Sequence, residues 1–223
     1  MTNQKQAGLT LIEMMIAMVL GLFVTAVIIT VFSTNVRSST ENIKMIRLNQ
    51  ELRGVMTMMV DELKRSGYSG APTVSAFNDD FNISSTCVRY AYDADSDAAE
   101  GDTDPENNER FGFKLDGNIV KWTTSGGDPG STLGSPECGN GTWDSLSDTN
   151  IAFITTLDFD ISGSANSNGD SGLTALTTTT GVSVYDVTIT LTGTTDLPHS
   201  SDANDPRRTI TETIRIRNED PKG

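Results

Sequence analysis

From Met14 to Phe32 the chain runs nineteen residues without a charge, MMIAMVLGLFVTAVIITVF. At about 1.5 Å per residue such a run, if helical, nearly crosses a hydrocarbon core of about 30 Å. Beyond it Leu48, Leu52, Val55, Met56, Met59, Val60 and Leu63 recur at three- and four-residue steps, with Arg53, Asp61, Glu62, Lys64 and Arg65 between them. That spacing predicts a helix with one apolar face. No proline occurs before Pro72. The pattern therefore predicts one helix from about Leu9 to Ser66, apolar all round in its first half and amphipathic in its second. Gly67 is the expected stop. The second half is expected to cover the core of its own domain, whereas the first half has no such core to cover.

From residue 71 onward the texture changes to short β-rich runs separated by Gly, Asn, Ser and Asp. Residues 111–115 and 119–123 flank Asp116-Gly117-Asn118 and read as a β-hairpin, because Asp-Gly accepts the positive φ of a tight turn. Further strands are expected over 87–92, 151–161, 182–191 and 208–217. In the last of these Ile210, Ile214 and Ile216 share one face, with Glu212 the exception. Five or six strands without intervening helical patterns imply an antiparallel sheet covered by the N-terminal helix, an α+β fold.

Charge divides the chain at the same place. Residues 1–70 hold seven Lys or Arg and five Asp or Glu, a balance of +2; residues 71–223 hold nine and 25, a balance of −16. The acidic part excludes nonspecific nucleic-acid binding through its surface, since phosphate contacts are made by Lys and Arg. No small-x-small cleavage site follows the apolar run, which argues for an uncleaved span rather than a secretory signal. Lys5 on the short leading segment orients the N-terminus toward the cytoplasm and the acidic part across the membrane. There Cys87 and Cys138 can form a disulfide, the alternative being two unrelated buried thiols. Joined, they would close a loop of about fifty residues, worth about 4 kcal/mol in the chain-entropy model. No CxxC or Cys/His spacing suggests zinc or an iron–sulfur cluster.

Glu13 breaks the apolar pattern. A carboxylate so placed is expensive and normally implies a partner, unless it reaches back to the headgroups. Its context, Gly8-Leu9-Thr10-Leu11-Ile12-Glu13 after a polar leader with Lys5 and before an apolar helix, resembles the signal of type IV prepilins and type II secretion pseudopilins. The resemblance implies a leader over residues 1–8, a membrane and filament-core helix over 9–33, an amphipathic continuation over 34–70 and a periplasmic β-rich pilin domain over 71–223. It implies cleavage by a membrane prepilin peptidase between Gly8 and Leu9, N-methylation of Leu9, and pairing of Glu13 with the new amine of a neighbouring subunit. Glu13 then becomes the fifth mature residue. The MIAMVLGLFV run, the Asp61-Glu62-Leu63-Lys64-Arg65-Ser66-Gly67-Tyr68-Ser69-Gly70 end of the helix and the terminal Arg215-Ile216-Arg217-Asn218 look like PilW-type minor pilins, which are related to J-type pseudopilins. That resemblance spans the first seventy residues and, loosely, the last dozen. It implies partners in other minor pilins, the major pilin and the inner-membrane assembly platform, with a place at or near the pilus tip. A type II pseudopilin and a tip adhesin are the competing readings.

Residues 93–109 hold eight carboxylates and no base. Asp93, Asp95 and Asp97 reproduce the spacing of the first ligands of a calcium loop, but Ala98 stands where glycine is needed and Asp104 where glutamate is. A solvated, mobile acidic loop is expected, with the three aspartates as candidates for millimolar calcium, and a similar loop over residues 162–172. Gly169-Asp170-Ser171-Gly172 resembles the nucleophile segment of trypsin-like proteases, yet that family's base precedes its serine, whereas the single histidine, His199, follows. With no P-loop, dinucleotide fingerprint or HExxH, no catalytic residue and no cofactor is expected. Trp122 and Trp143 are expected in the core or at its rim.

Overall fold

The computed structural model describes residues 8, 10–70, 77, 80–95, 105–127, 135–166, 171–173, 183–196 and 205–218. The chain divides into two compact units, Met1–Lys44 and Met45–Gly223. Helix α1, Leu11–Leu63, supplies the regular structure of the first unit and residues 45–63 of the second.

In the first unit every large apolar side chain of α1 from Leu11 to Phe32 is exposed, with Leu22 at 68% and Phe23 at 69%. Threonines are accommodated in the helix by bonding backward: the hydroxyls of Thr25, Thr30 and Thr34 donate to the carbonyls of Gly21, Ala26 and Thr30. Such back-bonding keeps a hydroxyl satisfied where no water or partner is at hand.

In the second unit the helical periodicity meets its core. Leu48, Leu52, Val55, Met56, Met59 and Leu63 are all buried, the face that the sequence marks out. The helix ends at Leu63, three residues before the expected Ser66, and the chain turns through Lys64 to Gly67. Gly67 takes φ 78° and its N–H donates to the Ala91 carbonyl at 2.8 Å. The stop is thus made by a left-handed glycine whose amide is captured by a strand, and a side chain there would strain the backbone.

Among the described residues ten strands make two antiparallel sheets, where a single sheet of five or six strands is expected from the sequence. The first is a meander, β1 (Asn82–Ser84), β2 (Cys87–Ala91), β3 (Arg110–Asp116), β4 (Ile119–Thr123) and β5 (Asp144–Ser145). β3 and β4 form the expected hairpin, with Asp116 opposite Ile119. The second comprises β6 (Phe153–Asp160), β7 (Ser164–Asn166), β8 (Ser171–Leu173), β9 (Ser183–Thr194) and β10 (Arg207–Asn218), in the order β10-β9-β7-β8, with β6 also paired to β9. β7 and β8 fall in the segment expected to be a loop. Neither shows alternation long enough to read as a strand; β7 is formed by pairing with β9 and β8, and β8 by pairing with β7.

Both sheets and the helix feed one core. Val88, Tyr90, Phe111, Phe113 and Val120 come from the first sheet, and Ile154, Leu157, Val187, Ile189, Leu191, Ile214 and Ile216 from the second. Ile210 is partly buried against the same core, whereas Glu212, on the same face by alternation, is exposed and stands as the exception. The close approach of helix and sheet is set at Gly193, where a Cβ would lie 2.9 Å from Leu52 Cδ2. Only glycine lets the helix lie that near.

Every residue of β2 is buried, so the side of the first sheet that does not face Tyr90 must be covered too. The cover is the segment around Cys138. A disulfide joins Cys138 to Cys87 on β2. Arg89, fully buried, donates from Nη1 to the carbonyls of Glu137 (3.3 Å) and Asn140 (3.2 Å) and from Nη2 to that of Gly127 (2.6 Å). Its guanidinium lies 5.5 Å from the Trp143 ring centroid, and Lys114 Nζ lies 4.4 Å from it. Trp143 is therefore a rim residue that stacks on two cations, and Trp122 packs partly buried against the core.

Candidate functional site

The start of α1 is built by Thr10 and Glu13. The Thr10 N–H and hydroxyl both donate to Glu13 Oε2, at 3.1 and 2.9 Å, and the Glu13 N–H donates back to the Thr10 hydroxyl at 3.4 Å. This is a reciprocal capping box, which satisfies two of the amides that open a helix. Gly8 is exposed just ahead of it, and Leu9 lies outside the described residues. The sequence pattern Thr-x-x-Glu before an apolar run carries the signal for this cap. Reading Glu13 for its position in the apolar run alone misses Thr10.

Of the three calcium candidates, Asp93 and Asp95 are brought together and Asp97 lies outside the described residues. Their companion is Glu109 from the short 3-10 turn Asn107–Glu109; ligand oxygens of Asp93, Asp95 and Glu109 lie within 4.8 Å of one another. Two of these groups act on the backbone. Glu109 accepts from the amides of Ala94 (3.1 Å) and Glu106 (3.0 Å), and Asp93 accepts from the Gly70 amide (2.9 Å). The Asp93 N–H donates to the Tyr68 carbonyl at 2.9 Å. Burial raises the Glu109 pKa, the two amide hydrogen bonds oppose that shift, and the charges of Asp95 and Asp93 add to it. Calcium takes about six to eight oxygen ligands. Two of the three, Asp93 and Glu109, are engaged by backbone amides and form a clasp that holds both ends of the acidic segment and the chain leaving the helix.

A second clasp lies beside it: the Tyr92 hydroxyl donates to Glu62 Oε2 at 3.1 Å, and Arg65 lies 3.2 Å from Glu62 Oε1. The helix end is thus tied to β2 by side chains as well as by Gly67. Gly169, Asp170 and His199 lie outside the described residues, and Ser171 opens β8.

With this geometry in view, two family models match the chain. Residues 3–29 match the prokaryotic N-terminal methylation motif, and residues 41–216 match prepilin peptidase-dependent protein B. The chain belongs to the prepilin peptidase-dependent protein B family. No curated protein and no solved structure matches it. The family match covers the β domain up to residue 216, including the middle in which the sequence alone offers no recognisable motif. As a prepilin peptidase-dependent protein carrying a methylation motif it is a pilin-like or pseudopilin-like subunit with one apolar helix suited to membrane anchoring.

Proposed function

We propose that the protein is a structural, non-enzymatic minor pilin of PilW type that takes part in initiating or capping type IV pili, and through them supports motility, adhesion or DNA uptake. In this reading it begins as a single-pass inner-membrane protein with its acidic domain in the periplasm. Prepilin peptidase cuts between Gly8 and Leu9 and methylates the Leu9 amine. The helix then leaves the membrane for the filament, where other minor pilins, the major pilin and the assembly platform are its partners. The observation that carries the reading is the Gly8-to-Glu13 signal set directly before an exposed apolar helix, in a member of this family.

The chemistry is electrostatic. An ammonium at Leu9 and a carboxylate about one helical turn on are complementary charges, and their attraction strengthens as the dielectric falls. Within one subunit Glu13 caps its own helix through Thr10. On packing, its second oxygen is suited to the amine of a neighbour.

N-terminal mass spectrometry of the mature protein tests the reading directly. A methylated Leu9 start, abolished by Gly8→Val, is the expected result; a start elsewhere, or processing indifferent to Gly8, overturns it. A deletion strain separates pilus from secretion: loss of surface pili with normal protein export is expected, and intact pili with lost export would assign the chain to type II secretion.

A further inference from the structure

We propose that β10 is a docking edge that takes up an extended acidic segment of a partner protein as an additional strand. This goes beyond the pilin reading and holds for either kind of filament. An open sheet edge presents unpaired N–H and C=O groups, which proteins commonly blunt by shortness, proline, bulges or a cover. The molecule does so at its other edges. The first sheet ends in β1 and β5, of three and two residues, and the second ends on one side in β8, of three. The outer edge of β6 is tied to turns of the first sheet: the Phe159 N–H donates to the Ser85 carbonyl (2.8 Å), the Ile154 N–H to the Asn118 carbonyl (3.0 Å), and Asn118 Nδ2 to the Ile154 carbonyl (3.2 Å).

β10 is different. It is twelve residues long, contains no proline, and pairs with β9 from Arg207 to Asn218 without a register shift. Among the described residues no strand or backbone hydrogen bond covers its other side. Its middle carries small side chains on the solvent face, where Thr209, Thr211 and Thr213 meet Thr192, Thr190 and Thr188 hydroxyl to hydroxyl at 2.9, 3.4 and 3.0 Å.

Charge selects the occupant. β10 carries Arg207, Arg208, Arg215 and Arg217 against one Glu212, in a protein of net charge −14. Arg215 is held by Asp186 in a two-point contact (2.7 and 2.8 Å), whereas no ion pair among the described residues engages the exposed Arg207 and Arg208. A strand laid along β10 would draw affinity from the backbone ladder, and its acidic side chains, placed toward the arginines at the strand's ends, would set its specificity and register. The uncharged threonine middle asks for β-branched or small residues between those ends.

The test uses the full chain in detergent micelles and three synthetic peptides of about ten residues. One has glutamates at both ends and alternating threonine and valine between; the second replaces the glutamates by lysines; the third is the acidic peptide N-methylated at alternate residues. The acidic peptide should bind saturably, about tenfold or more tighter than the lysine peptide, and slow amide hydrogen exchange in β10. The methylated peptide should not bind. Arg207→Glu with Arg208→Glu should invert the order of the two charged peptides while leaving the circular dichroism spectrum unchanged. No saturable binding of the acidic peptide, equal binding of the two charged forms, or equal binding of the methylated form overturns the proposal. The three wild-type arms decide it even if the variant misfolds.

Discussion

Leu22 and Leu52 sit on the same helix, and their environments are opposite. Leu22 is 68% exposed among side chains of its own kind, whereas Leu52 has no exposed surface at all. The hydrophobic effect acts alike on both, so the difference lies in who supplies the partner. For residues 48–63 the chain itself supplies it, as two β-sheets with Gly193 cleared of a side chain. For residues 11–32 nothing among the described residues does. An apolar surface of that extent marks a membrane or another protein as the missing partner.

The largest effect that could break this contrast concerns the disulfide. Cys87→Ser with Cys138→Ser opens a loop of sequence separation 51, and the chain-entropy model puts the cost at about 4 kcal/mol. That loss should appear as a lowered denaturation midpoint followed by Trp122 and Trp143 fluorescence in detergent. Far-ultraviolet dichroism from the helix of the first unit should persist through the transition. A helix signal that melts together with the domain would show that the two units are energetically one.

Next comes the direct comparison. Leu52→Ala should cost about 2–5 kcal/mol of domain stability, the range for cavity-forming core substitutions. Leu22→Ala should change it by less than about 0.5 kcal/mol. An equal response to both would mean that the first half of α1 has a packing partner within the chain. Gly193→Ala is smaller, about 1–3 kcal/mol, because the new methyl meets the flexible end of Leu52. Adding it to Leu52→Ala should cost less than the two single changes together, by about 1 kcal/mol, since the shortened side chain vacates the space.

The same contrast explains what could be read from the residues. The helix was legible throughout because both of its patterns, charge-free and three-four periodic, are local. Its end moved from Ser66 to Leu63 because Gly67 bonds to Ala91, a partner that no window around the helix contains. The hairpin β3–β4 and the long strands β6, β9 and β10 carry enough alternation to be seen; β1, β5, β7 and β8 are two or three residues long and exist through their neighbours. Division into two sheets follows from β6 and β10 flanking β9 on opposite sides, which is pairing information rather than periodicity. In the candidate site the Gly8–Glu13 spacing was legible as a family resemblance, and Thr10 as a capping residue was legible but unread. Glu109 was not legible as a companion of Asp93 and Asp95, because it stands fourteen positions beyond Asp95 in the sequence.

The smallest effect distinguishes the units by acid. Asp186 on β9 is held below its ordinary value of 3.8, chiefly by the hydrogen bond to Arg215; burial opposes the shift and the attraction of the same guanidinium adds to it. A carboxyl whose folded pKa is depressed contributes stability that is present above its unfolded pKa and is lost as pH falls through the folded one. Asp186→Asn should therefore lower the domain's denaturation midpoint slightly near neutral pH, and the deficit should close as the solution is taken below 3.8, where wild-type Asp186 takes up its proton. Arg215 is largely exposed, so salt should shrink the neutral-pH difference as well. Comparing the two proteins at each pH cancels every other carboxylate in the acidic domain. A deficit that persists undiminished in acid would show that Asp186 stabilises β9 against β10 by shape and neutral hydrogen bonding rather than by charge.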